Sequence, residues 1–427
     1  MSRLLIILFM LCADFVFAAR SLYLGSSFHT LDNGISVVFV DTSRSNSVLV
    51  MLCISAGSAD ELDKRGVANL LSHMFAKKLK ESTAANTLQY GAESDSCTGH
   101  DQSMYYFYGK LEDLEGFIKN LGEVFSRFSC SPNDVEDSRL PISSQTEAEH
   151  KLDQFAIRRE AKRSLYWQSS YGADVVCTPE QLKEITAQDA NNFKEKHYTN
   201  NRVTVIVAGN VQKNAALKMV SKYFAAAVAT SKIDRLQEPP HHGATTRIVK
   251  YSSQINVPVV EMYWRVPNYR NDRKKALAAE IFVRYLNDVL PKILQTQGLI
   301  ASISFSYLFW SYDGGDFSIT VTPKDTAQAE KLITAVLSEI KGLVSDGITK
   351  EQADGVVNGM VSSSNLLRRD TLDAVNWMAG KIGSGNEFDF VKEYPNYIKK
   401  YKLEDVNAQA KEIFKNDPCV ISIVRPT

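Results

Sequence analysis

Two helix-then-strand units, set about half a chain apart, constrain the fold of this sequence more than any other feature in it. Gln188-Asp189-Ala190 opens a helical stretch that runs to Tyr198 and leads into the strand Val203-Thr-Val-Ile-Val207. Glu404-Asp405-Val406 opens another that runs to Phe414 and leads into Val420-Ile-Ser-Ile-Val424. Self-similarity at long spacing marks an internal duplication, although helix-then-strand segments also recur by chance. A chain of 427 residues exceeds one ordinary core, since domains usually run to roughly 100–200 residues. Two lobes are therefore expected.

Local punctuation places the boundary between them. Gln237-Glu-Pro-Pro-His-His-Gly243 breaks the pattern with proline, glycine and paired histidines, which is linker composition. The expected organisation is a cleaved segment 1–18, a first lobe over 19–236, a linker over 237–243 and a second lobe over 244–427. Segment 1–18 reads as a secretory signal peptide. Arg3 gives a positive start, Leu4 to Leu11 an apolar run, and Val16-Phe17-Ala18 a small-residue cleavage site. The run falls well short of the ~20 apolar residues that cross a bilayer. No integral membrane segment is expected after cleavage, and the product is expected to be exported, either periplasmic or secreted.

Within the first lobe, His29-Thr-Leu-Asp-Asn-Gly34 turns into Ile35-Ser-Val-Val-Phe-Val40, and a second strand runs from Ser47 to Ser55. Val67, Leu70, Leu71, Met74 and Phe75 recur on one helical face, so Lys64 to Leu79 is expected to lie as a helix on that sheet. A strand at Tyr105 to Gly109, a helix from Leu111 to Phe128 and a long helix from about Glu147 to Tyr166 complete an α/β lobe. With 44% hydrophobic and 23% charged residues and a formal net charge of +0, nothing invites nucleic acid or anionic lipid. Removing Cys12 with the signal leaves five dispersed cysteines, an odd number that implies no disulfide framework.

The helix from Lys64 carries Gly66-Val-Ala-Asn69-Leu-Leu-Ser72-His73-Met74-Phe75, preceded by Ala56-Gly57-Ser58-Ala-Asp-Glu61. Together these resemble the active-site helix of the pitrilysin/insulinase superfamily of zinc peptidases and the approach to it; that helix bears an inverted H-x-x-E-H motif. Tyr90-Gly91-Ala92, Ser170-Tyr171-Gly172, Val207-Ala-Gly209-Asn210, Tyr263-Trp-Arg-Val-Pro267, Gly298-Leu299 and Gly314 follow in the family's order, so the resemblance covers nearly the whole mature chain. It implies an α/β (α+β) fold of two duplicated lobes, each a mixed sheet covered by helices, forming one half of a clamshell.

Matched position by position, Asn69 stands for the first histidine, Ser72 for the glutamate and His73 for the second histidine. Zinc takes imidazole, thiolate or carboxylate donors, and an amide oxygen is a poor substitute. A serine hydroxyl cannot serve unaided as the general base that a carboxylate provides. The family's third ligand, a glutamate on the next long helix, falls here among Ser143, Ser144, Gln145 and Glu147, with Glu149 nearby. No residue is expected to be catalytic or to ligate a metal, and His73 is read as a hydrogen-bonded helix residue. The family's substrate-gripping arginine and tyrosine fall on Leu294 and Ala301. Lys292, Tyr307 or Tyr312 are the candidate replacements, and Tyr307, Trp310 and Tyr312 are candidate cleft residues.

The resemblance thus implies a non-catalytic pseudopeptidase subunit acting on peptides with a homologous zinc-peptidase subunit, zinc being expected in that partner alone. A self-paired dimer is the other form of assembly. The alternatives are a peptidase-like scaffold or binding protein without a proteolytic role, and a zinc metalloendopeptidase with an altered centre.

Overall fold

The computed structural model describes residues 25–42, 46–62, 64–84, 93–150, 152–167, 169–225, 244–367 and 370–427. The expected signal peptide, the linker 237–243 with His241-His242, and Tyr90-Gly91-Ala92 lie outside these residues. In the first half, strands β1 (Ser26–Thr30), β2 (Ser36–Asp41) and β3 (Ser47–Ile54) precede helix α1 (Val67–Ala84) and the hairpin β4 (Glu93–Thr98) and β5 (Ser103–Lys110). Helices α2 (Leu114–Arg127), α3 (Pro132–His150), α4 (Asp153–Leu165), α5 (Pro179–Lys183) and α6 (Ala187–His197) lead to β6 (Val203–Gly209) and α7 (Lys213–Tyr223). The second half runs β7 (Thr246–Ser252), β8 (Val259–Arg265), α8 (Arg273–Thr296), β9 (Ile300–Leu308) and β10 (Asp316–Pro323). It ends with α9 (Ala329–Asp346), α10 (Lys350–Leu367), α11 (Thr371–Gly383), α12 (Phe388–Ile398), α13 (Leu403–Phe414) and β11 (Val420–Pro426).

The two sheets repeat one plan. The first has the order β1-β2-β6-β3-β5-β4 and the second β7-β11-β8-β10-β9. In the first, β6 lies parallel to β2 and antiparallel to β3; in the second, β11 lies parallel to β7 and antiparallel to β8. The last strand of each half is thus inserted into its own sheet at the equivalent place. That is the helix-then-strand echo of the sequence, now a shared topology.

Both faces of the first sheet are covered, so its central strands read as continuous apolar runs. Along β3, Val48, Val50 and Leu52 point to the core formed with α1 and α2, while Leu49, Met51 and Cys53 point the other way. That second face is closed by Ala374, Val375, Met378 and Ala379 of α11, a helix from the second half. The exchange is reciprocal. Helix α4, from the first half, covers the second sheet through Ala161 and Leu165, with Arg158 paired to Glu261 of β8 and Lys162 to Asp316 of β10, both at 2.6 Å. The single helix expected from Glu147 to Tyr166 is accordingly two: α3 ends at His150 and α4 begins at Asp153, because α4 must turn onto the other sheet. Close approach at the junction demands small residues. A Cβ on Gly383 of α11 would lie 2.7 Å from Gln102 Cβ and 3.1 Å from Cys53 Sγ of the first half. No helix of the described residues is long and apolar enough to cross a membrane.

Candidate functional site: the motif helix

Helix α1 is pinned at its start by Glu61. Its Oε2 accepts from the Gly66 N–H at 2.9 Å and its Oε1 from the Ala68 N–H at 2.8 Å, satisfying donors that a first turn leaves orphaned. Gly66 has φ +91, and a Cβ there would lie 2.1 Å from Cys177 Sγ, so the approach to the helix needs glycine. Burial pushes the Glu61 carboxyl up to about 7, although both N–H donors and Arg65 favour its charged form.

The three motif positions do not converge. Asn69 and His73, four residues apart and on one face, are half-buried. Ser72 is 2% exposed. Its hydroxyl lies beside the Tyr105 phenol, which in turn meets the Tyr198 hydroxyl at 2.8 Å. The position where a zinc peptidase carries its general base therefore turns into the core against β5. Asn69 Oδ1 is buried without a hydrogen-bond partner among the described residues. Burial, and then the charge of Lys80, lower the His73 pKa and favour neutral imidazole. The hydrogen bond expected for His73 is not made with any described residue.

On α3, Ser143 spends its hydroxyl on the Leu140 carbonyl at 3.1 Å, and Glu147 is exposed. Among the described residues no group of three or more His, Cys, Asp or Glu side chains is placed to hold a metal ion. An orphaned amide oxygen, one neutral imidazole and a serine turned inward do not match the donor set that zinc requires. Asn69, Ser72 and His73 do not fit the metal that the family's motif holds.

The aromatic positions separate as well. Tyr307 and Trp310 line a cavity of about 200 Å³ with Glu280, Arg284, Trp377 and Lys381. Tyr312 lies instead at the junction of the lobes. Its N–H donates to Asp101 Oδ2 and to the Tyr171 hydroxyl, both at 3.0 Å, and Arg270 stacks on its ring at 3.5 Å. Leu294 is fully buried, whereas Lys292 and Ala301 are exposed. Sequence reasoning passed over Glu280, Arg284 and Lys381. A signal for the first two was present, a charged pair four apart inside the apolar run Ala276 to Leu286.

Residues 36–179 match the model of Insulinase (Peptidase family M16), and residues 184–360 that of the Peptidase M16 inactive domain. An uncharacterized zinc protease of Bacillus subtilis, YmxG, is 20% identical over 408 residues, covering 93% of this chain and 98% of that protein. A protease from Helicobacter pylori shares the fold with a TM-score of 0.83 at 17% identity, over 94% of this chain and 99% of that one. The first half of the periplasmic protease PqqL from Escherichia coli does so with a TM-score of 0.78 at 16% identity, over 94% and 92% of the two chains. Family models that match both halves in succession, and a duplicated two-lobe fold shared over nearly the whole chain, place this protein in the M16 (pitrilysin/insulinase) peptidase superfamily.

Proposed function

We propose that this chain is a non-catalytic M16 subunit that pairs with a second M16 chain bearing an intact zinc motif, and that the two enclose a chamber for peptides. The observation that carries this reading is Ser72: the general-base position is a hydroxyl buried against Tyr105, and no rotation of a serine supplies the missing carboxylate. Zinc belongs to the partner. The paired arrangement draws support from the likeness to one half of a two-half protease. Export, to the periplasm or beyond the cell, is part of the same proposal and rests on the residues of segment 1–18.

The test is to isolate the tagged chain from its native compartment under mild conditions, identify what co-purifies in equal amount, and assay chelator-sensitive peptide cleavage. An equimolar M16 relative with an intact H-x-x-E-H and activity lost on chelation is the expected result. A lone inactive homodimer would replace it with the scaffold reading. Chelator-sensitive cleavage by the chain alone would replace it with an altered-centre peptidase.

A further inference from the structure

Helix α8 holds in the second lobe the place that α1 holds in the first, between the strand antiparallel to the inserted one (β8, as β3 in the first) and the following hairpin, and α10 corresponds to α3. The duplicate of the motif site therefore faces a different set of side chains. Glu280 is buried and saturated: its Oε2 accepts from the Tyr269 and Tyr394 hydroxyls at 2.6 and 2.9 Å, and its Oε1 from Arg284 Nε and Nη2 at 2.9 and 2.7 Å. Arg284 also stacks on Tyr307, 4.9 Å from the ring centre. One carboxylate is thus consumed by one guanidinium.

A second cation remains. The Lys381 ammonium of α11 lies 5.0 Å from the Trp310 ring and 5.7 Å from the Trp377 ring. The residue is partly exposed and its side chain lines the adjoining cavity. Among the described residues it has no hydrogen-bond acceptor and no carboxylate within ion-pair distance. Burial lowers its pKa to about 8, an effect that Glu280 opposes and Arg284 reinforces. Indole faces stabilise a cation only partly, so an ammonium without a protein acceptor at a cavity wall is open to a charge-assisted bond from an anion. The adjoining cavity of about 200 Å³ is walled by these rings, by Ser363 and Ser364, and by Glu280, whose carboxylate is already bonded by Tyr269, Tyr394 and Arg284; Tyr307 on its wall is 37% exposed. An apolar cavity of roughly 150 Å³ already accepts benzene. A single ring carrying one charged group therefore matches the space.

We propose that the second lobe carries a binding site for a small organic carboxylate with one aromatic ring or a short apolar chain, its carboxylate on Lys381 and its apolar body between Trp310, Trp377 and Tyr307. The site is independent of any peptidase partner. It stands or falls separately from the function proposed above.

Two of the chain's four tryptophans border the site, so intrinsic fluorescence reports occupancy. The full chain is titrated with phenylacetate to about 20 mM, the range appropriate to a ligand of this size, and in parallel with phenylacetamide. Saturable quenching by the acid, at least about tenfold tighter than by the amide, is expected because only the acid forms a charge-assisted bond. Lys381→Met abolishes that difference while the melting temperature holds, since no ion pair or hydrogen bond of the ammonium with a described residue is lost, and Lys381→Arg restores binding in part. No saturable response to phenylacetate, equal binding of acid and amide, or unchanged binding in a folded Lys381→Met protein would each overturn the proposal.

Discussion

Helix α1 lies on the first sheet after β3, and helix α8 lies on the second after β8, so one ancestral position is present twice in the molecule. The two copies handle polar groups in opposite ways. Around α1 the motif positions retain an orphaned Asn69 oxygen, an inward serine and a neutral histidine. Around α8, Glu280 is bonded by two tyrosines and an arginine, and a lysine packs on indole rings beside them. A site that has lost its charges leaves weakly satisfied remnants. A buried network keeps its charges only when nearly every lone pair is used.

That contrast can be broken most directly at Glu280. Replacing it by alanine leaves Arg284 and Lys381 without the carboxylate beside them and strands two buried phenols. A loss of about 3–5 kcal/mol in urea unfolding is expected, the range for breaking a buried ion pair from one side. A loss below about 1 kcal/mol would show that the second lobe's network is no more committed than the first lobe's remnants.

The cap of α1 gives the next effect, and its sign is fixed. Glu61 has its folded pKa raised from an ordinary 4.5 to about 7, so the folded state holds this proton more tightly than the unfolded one. Its contribution is fully present below pH 4.5 and is lost as pH rises through 7. Glu61→Gln should therefore flatten the stability profile over that window, with a difference of roughly 3 kcal/mol at most between its ends. Parallel wild-type and variant profiles from chemical denaturation would mean that the two N–H donors outweigh burial.

The smallest change is expected at the motif itself. Asn69→Leu removes an unpaired buried oxygen and should leave stability within about 1 kcal/mol of the parent, on the stabilising side. A loss above about 2 kcal/mol would reveal a partner for the amide and restore some parity between α1 and α8.

Much of the architecture was legible because it rests on local periodicity. Val67, Leu70, Leu71, Met74 and Phe75 line the buried face of α1 as their spacing predicts, and the two terminal helix–strand units proved to be equivalent insertions, β6 and β11. The exchange of α4 and α11 between sheets was not legible. Amphipathic spacing says that a helix has an apolar face, not which sheet receives it. At the motif, residue identity alone exposed the loss of zinc donors, but not that Ser72 points to Tyr105, a direction set by how α1 rolls on β5. The Glu280–Lys381 neighbourhood escaped for a similar reason, because it joins side chains about 100 residues apart that no local pattern links.

The most direct test is the metal content of the purified chain after exchange into metal-free buffer containing stoichiometric zinc, with free metal removed. The account predicts less than about 0.1 zinc per chain, since Asn69, Ser72 and His73 offer one imidazole where a stable site needs three or four donors. One zinc per chain, removed by chelator and absent from His73→Ala, would contradict it.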